Sequence, residues 1–534
     1  MAYGWNQGQQ PGNPPPPYGQ PYPPQQPYQQ PSQQPYDLQA GWQQQGPEGI
    51  GPARPAGKGG KGWLVAVAAA LAVVLLGGGA VWAVGAIGGG GTQPNEVLPA
   101  SSIAYARLDL DPAANQKLAL FQIARKFTVT KDSFQGEDPR KALFEALRED
   151  GGDDLAKLDF AKDVDPWLGN RLGVAVVPSG KEEPDVVVAV QVKDEAQARA
   201  GIAKLRGDGK VGLAFRDDYA LLTSDQALAD KYARASDSLA DNAEFGDDMN
   251  ALGEQGVLSF WGDLGAVAEL AKKDMTPEEA VNLDQVKNAR FAGALRFDSA
   301  YAELTGVVRG AEGLVDGDLE PVRLAELPAT TAGALSISGL DQMINKTWAK
   351  YEQAISGSGG DGPKQVLHEL VTSAGLQLPD DLATIVGKNL TIAVDGEGLD
   401  GDQIKGGVRV VTDPAKAQAL VDKVQKAMAA EGQPVPDLAK ASGDGVFTVA
   451  TTEEYGKKLA EDGALGDSET FQTAVPNAGE ATFGLFVDLD KVEKYYLQSM
   501  EGDEKANLQV LRAIGLSGRQ TDTEASFSLR VLFN

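Results

Sequence analysis

Gly169-Asn170-Arg171-Leu172-Gly173-Val174-Ala175-Val176 is answered 218 residues later by Gly387-Lys388-Asn389-Leu390-Thr391-Ile392-Ala393-Val394. Each stretch is a strand-length run in which apolar and β-branched residues cluster. Three more matches follow the same order. Leu98-Pro99-Ala100-Ser101 answers to Leu327-Pro328-Ala329-Thr330 at an offset of 229. Val192-Lys193-Asp194-Glu195-Ala196 answers to Val411-Thr412-Asp413-Pro414-Ala415 at 219, and Phe260-Trp261-Gly262-Asp263-Leu264 to Leu485-Phe486-Val487-Asp488-Leu489 at 225. A period this long does not make a solenoid; it predicts two homologous domains.

The local pattern within one copy predicts its elements. Strands are expected at Ser102–Leu110, Leu172–Pro178, Asp185–Val192, Val211–Phe215 and Tyr219–Thr223, the last two joined by an Arg216-Asp217-Asp218 turn. Asp194 is placed to cap a helix through Leu205, and in the second copy Asp413 caps with Pro414 at the first helical position. A further helix is expected over Asp225–Ala235. Phe291–Phe297 and Tyr301–Val308 read as a hairpin across Asp298-Ser299, and the chain closes on a similar strand at Glu524–Phe533. Hairpins with helices between them give an α+β fold: two homologous domains, 97–320 and 321–534, each a mainly antiparallel sheet with helices on one face.

Outward from this body the composition changes twice. Residues 1–61 hold 14 of the 30 prolines and 14 glutamines, with five tyrosines among them. Almost nothing there can be buried to offset backbone entropy, which predicts a disordered cytoplasmic tail with polyproline II segments such as Pro14-Pro15-Pro16-Pro17. The tail reads either as a spacer or as a docking segment whose prolines and tyrosines engage aromatic grooves. From Trp63 to Ile87 the chain uses only Ala, Val, Leu, Ile, Gly and Trp, and no charge occurs between Lys61 and Glu96. Such a run predicts a transmembrane helix over 62–88, spanning about 37 Å at ~1.5 Å per residue, followed by a linker at 89–96. Arg54, Lys58 and Lys61 precede it, and the next basic residue is Arg107. That asymmetry places the N-terminus in the cytoplasm and the C-terminal domains outside the cell membrane. The run is too long, and begins too late, for a signal peptide.

Charge and composition remove several functional classes. The chain carries 75 acidic and 48 basic side chains, a net charge of −27, which argues against a nucleic-acid partner. The tail is nearly neutral, so the acid belongs to the body, where it repels anionic surfaces. With no cysteine and one histidine there is no disulfide, thiolate site or two-histidine metal motif.

A search for chemistry assigns no catalytic, cofactor-binding or metal-ligating residue, and no cofactor. G-x-G-x-x-G occurs at Gly57/Gly59/Gly62, Gly207/Gly209/Gly212 and Gly396/Gly398/Gly401, never between a strand and the helix it would need. Asp109/Asp111 and Asp488/Asp490 sit where a strand meets a helix and read as caps. The acidic run from Asp395 to Asp402 lacks the calcium-loop spacing and reads as a solvated hairpin loop. His368 has no visible partner, and Trp167, Trp261 and Trp348 read as core.

The order of a Pro/Gln/Tyr-rich tail, a Gly-rich anchor, Leu98-Pro99-Ala100-Ser101 soon after it and a duplicated body resembles the actinobacterial envelope proteins grouped as domain of unknown function 3352, from about residue 95 onward. The resemblance implies a Gram-positive, high-GC host and a cell-membrane location, and it brings no catalytic residues with it. Two functions stay open. One is a non-enzymatic, single-pass envelope protein whose ectodomain and tail bind protein partners. The other is a carrier or hydrolase for an envelope lipid or polymer.

Overall fold

In the computed structural model the described residues are 91–534, apart from 129–137, 139, 142–143, 145–157, 182, 206–210, 272–286, 314, 316, 358–372 and 400–403. The tail, the apolar run and His368 therefore lie outside the described residues. The first half runs β1 (Ala104–Asp109), α1 (Ala114–Ala124), β2 (Leu168–Val177), β3 (Asp185–Val192), α2 (Glu195–Leu205), β4 (Gly212–Arg216), β5 (Tyr219–Thr223), α3 (Gln226–Ala233), α4 (Ala243–Leu252), β6 (Leu258–Asp263), α5 (Leu264–Ala271), β7 (Arg290–Phe297) and β8 (Tyr301–Arg309). The second runs β9 (Thr331–Ser338), α6 (Leu340–Gly357), α7 (Asp380–Val386), β10 (Asn389–Asp395), β11 (Gly406–Val411), α8 (Pro414–Ala430), β12 (Ala439–Gly443), β13 (Val446–Ala450), α9 (Glu453–Ala460), α10 (Glu469–Ala474), β14 (Phe483–Asp488), α11 (Leu489–Leu497), α12 (Gly502–Leu508), β15 (Leu511–Gln520) and β16 (Glu524–Phe533).

Side-chain caps and turns set these boundaries. Asp194 accepts from Gln197 N at 2.7 Å, Asp225 from Leu228 N at 3.0 Å, and Asp413 from the amides of Ala415 and Lys416 at 3.1 Å. Each such cap is worth about 1 kcal/mol. Asp217 takes φ 50° in the β4–β5 turn, the left-handed backbone a tight hairpin requires.

The strands form one sixteen-stranded sheet, in the order β12-β13-β11-β10-β9-β14-β15-β16-β8-β7-β6-β1-β2-β3-β5-β4. The pairings among the described strands are antiparallel throughout, as expected. Read outward from the β8–β16 seam, the two halves have the same strand order. Two separate sheets were expected; the last strand of each half instead pairs with the other, Thr305 opposite Ser528, and two exposed edges vanish.

The halves also repeat small contacts. Ser102 donates to Pro99 O at 2.6 Å, and Thr331 donates to Pro328 O at 2.7 Å. Leu239 N donates to Leu98 O at 2.8 Å, and Leu465 N to Leu327 O at 2.9 Å. Phe245 meets Trp261 edge to face at 5.5 Å, and Phe471 meets Phe486 likewise at 5.2 Å.

Helices were expected on one face only, yet in the first half they cover both. On one face Leu108, Val174, Val188 and Val190 pack with Leu120 of α1 and Ile202 of α2. On the other, Tyr105, Val187, Tyr219 and Leu221 pack with Tyr232 of α3 and with Phe245 and Met249 of α4. The reason is in β3, whose valines fall on both sides of the strand, so that both sides need cover. In the second half Ala334, Ala393 and Phe486 pack with Tyr455 of α9 and Phe471 of α10.

Candidate functional site

Register aligns one side chain per strand into a row across the sheet. Leu172, Leu108, Leu258, Leu295, Leu304, Leu529, Leu516, Leu485 and Leu335 stand on nine successive strands, each directly opposite the next. Ile392 and Val408 continue the row. At ~4.8 Å between strands the nine leucines reach about 38 Å.

Beside them runs a row of phenylalanines that alternate with glycines. Phe527 lies opposite both Gly306 and Gly518, and Phe483 lies opposite Gly518. A Cβ on Gly306 would come within 2.6 Å of the Phe527 ring, and one on Gly518 would overlap the Phe483 ring. The missing side chains let these rings lie flat on the neighbouring strand. Phe291 stacks nearly parallel to Phe527, with centroids 6.5 Å apart. The product is a low, apolar floor.

Among the described residues the floor is deeply buried at its two ends and only partly buried between them. At the first-half end Leu108 is 1 % exposed beneath α1 and α2. At the far end α8 packs against β12 and β13, and Val410 and Phe447 are buried. Between these, Leu304, Leu529, Leu516 and Leu485 are only partly buried, while Leu335 is 41 % and Ile392 47 % exposed. Fully burying such a side chain gains about 1.5–3 kcal/mol, so each half-covered one leaves about 1 kcal/mol unrealised.

A second concavity, of about 580 Å³, opens at the sheet end among Glu320, Asp341, Asp380, Lys388 and Asp413. Three of its charges are engaged. Lys388 Nζ donates to Glu320 at 2.8 Å, a bond that raises the lysine pKa, and Asp413 caps α8. Among the described residues no group of three or more His, Cys, Asp or Glu is arranged to hold a metal ion.

The residues singled out from the sequence are dispersed. Asp488 caps α11 as expected, and Asp263 does the same for α5. Asp109 does not cap α1, a correction: it is 2 % exposed and receives Arg107 and Arg171 Nε, the latter at 3.2 Å. Its own strand supplies Arg107 and the neighbouring β2 supplies Arg171, and a buried carboxylate needs such partners more than a helix end needs a cap. At the same register of the second half Ser338 and Asn389 share a hydrogen bond of 2.9 Å instead. Asp111 pairs with Lys117, and Asp490 accepts from Asn534. Asp395 is buried and accepts from Glu397 N. Trp167 and Trp261 are core, and Trp348 is half-buried on α6. None of these lies in the floor, whose leucines each looked like one apolar position in an alternating strand.

One comparison with known proteins bears on the first half. A family model described as Protein of unknown function (DUF3352) matches residues 65–220. That stretch begins inside the apolar run and ends within β5, so it starts earlier and stops sooner than the resemblance read from the sequence. It is a domain of unknown function. No curated protein and no solved structure matches the chain.

Proposed function

We propose that this chain is a single-pass, membrane-anchored envelope protein of the actinobacterial kind, with a cytoplasmic tail that recruits protein partners and an acidic, duplicated ectodomain that acts as a binding module. The observation that carries the binding reading is the half-open apolar floor, which leaves burial free energy to be gained from a ligand. The anchor reading is supported by the uncharged run Trp63–Ile87 and its one-sided basic flank. Duplication is supported by the shared strand order, the paired turns and the paired aromatic contacts of the two halves. An enzymatic reading, as a hydrolase, has no observation in its favour. The carrier reading has one, the floor itself.

Since the chain has no cysteine, single cysteines report topology without background. Ser442→Cys, at an exposed position of β12, is expected to react with a membrane-impermeant maleimide on intact cells. Ser32→Cys in the tail is expected to react only after permeabilisation. The reverse labelling would overturn the orientation, and equal labelling in a soluble fraction would overturn the anchor.

A further inference from the structure

We infer that the leucine floor takes up an acyl chain of a membrane lipid, an assignment that rests on the anchored reading above. Three features select this occupant over a protein surface or a polar polymer. The first is chemistry: from Leu295 on β7 to Ile392 on β10 the floor offers leucine, isoleucine and flat phenylalanine rings, and nothing that specifies a polar partner. The second is size. That partly buried stretch crosses seven strands, about 29 Å at ~4.8 Å spacing, and it is closed at both ends by packed helices. One leaflet of a ~30 Å bilayer core is only about 15 Å deep, so the floor accommodates a whole chain laid along it.

The third feature is the length of chain between the predicted span and the fold. Thr92 is already fixed, its carbonyl accepting from Tyr219 Oη at 2.8 Å, and Val97 and Leu98 are fully buried. Only four residues, Gly88 to Gly91, separate Ile87 from Thr92, five Cα steps that reach at most about 18 Å. An anchored sheet is thereby held beside the bilayer, where acyl chains are the abundant apolar ligand. The net charge of −27 opposes flat adsorption of the body on anionic headgroups, so a chain must leave the bilayer to reach the floor.

The test uses the full-length chain in phosphatidylcholine–phosphatidylglycerol vesicles that hold a trace of lipid with a diazirine at the methyl end of one acyl chain. That end sits about 15 Å below the headgroups, so it labels residues outside the bilayer only if the chain is withdrawn. After irradiation, adducts are expected in peptides holding Leu335, Ile392 and Phe527, and in the 63–87 run. Combining Leu335→Glu with Ile392→Glu should cut the sheet adducts about tenfold and spare those in the run, because an acyl chain cannot repay the desolvation of two carboxylates. Both positions are at least two-fifths exposed, so the fold should tolerate the change. The milder pair Leu335→Thr with Ile392→Thr, which places a β-branched, strand-favouring residue at both positions, should give an intermediate loss at an unchanged melting temperature. Adducts confined to the run would overturn the lipid site and leave the anchor standing. Adducts on the sheet alone would support the site and overturn the anchor. Adducts in neither would overturn both, and sheet adducts that survive both pairs would overturn the assignment to this floor.

Discussion

Glu303 on β8 and Arg530 on β16 meet across the seam that joins the two halves, Nε to Oε1 at 2.9 Å. Glu303 is 6 % exposed, and its carboxylate also accepts from Ser528 Oγ at 2.7 Å and from Arg296 at 3.5 Å. Arg530 in turn lies over the Tyr301 ring at 4.1 Å. One buried acid thus gathers donors from the strands on either side of it, Arg296 from β7 and Ser528 and Arg530 from β16.

Removing that acid should loosen the joint. Glu303→Ala is expected to cost about 3 kcal/mol, because it strands Arg530 without its carboxylate. A double-mutant cycle with Arg530→Met, read by urea unfolding, should give a coupling of about 1 kcal/mol or more. Coupling below about 0.3 kcal/mol would mean that the pair is incidental.

The flat phenylalanines require bare glycine beneath them. Gly518→Ala should destabilise the protein by about 1–3 kcal/mol, since its methyl group would overlap the Phe483 ring. Adding Phe483→Leu should recover part of the loss. A neutral Gly518→Ala, measured by thermal unfolding, would contradict the close approach.

The outer edge of β4 is protected by one amide. Gln226 donates to Leu213 O at 2.9 Å and accepts from Leu213 N at 3.1 Å, which occupies both groups of an edge residue. Gln226→Ala should cost about 1 kcal/mol per lost bond and, by baring the edge, raise self-association in sedimentation. An unchanged monomer fraction would show that the edge is guarded by something else.

High pH should weaken the fold through its tyrosines. Burial, and then the charge of Asp185, pushes Tyr232 up to about 12, and burial also raises Tyr105, Tyr219 and Tyr455. A group raised above its unfolded value of about 10 contributes fully below that pH, and its contribution is lost as pH climbs through the folded value. The melting temperature should therefore hold to about pH 9.5 and fall steadily from about 10 to 12. Tyr232→Phe should make that fall shallower; an identical slope would exclude Tyr232 as a contributor.

Elements governed by neighbours along the chain were legible in the order of the amino acids. β3 and β5 end where the valine and leucine runs end, and Asp194 and Asp413 cap the helices that their positions announced. Contacts that depend on register were not. Asp109 fits a cap pattern locally, and only the alignment of β1 with β2 brings Arg171 to it. The floor is hidden for the same reason. Each of its leucines is an ordinary apolar position, and the row exists only once nine strands are set side by side. Glu303 and Arg530 are further still, joined by a seam that no local pattern encodes.

The seam has a consequence for how the protein is made. The first half completes its strand order at Arg309, but the strand that pairs with β8 is the sixteenth, Glu524–Phe533, made only after all of the second half's other strands. Throughout the intervening synthesis the nascent chain carries a finished sheet with an open side, a template for any extended segment nearby, including the same strand of another unfinished copy. Removing Glu524–Phe533 would cost more than one strand: it would leave two sheets, each with a sticky margin at a place where the intact protein is continuous.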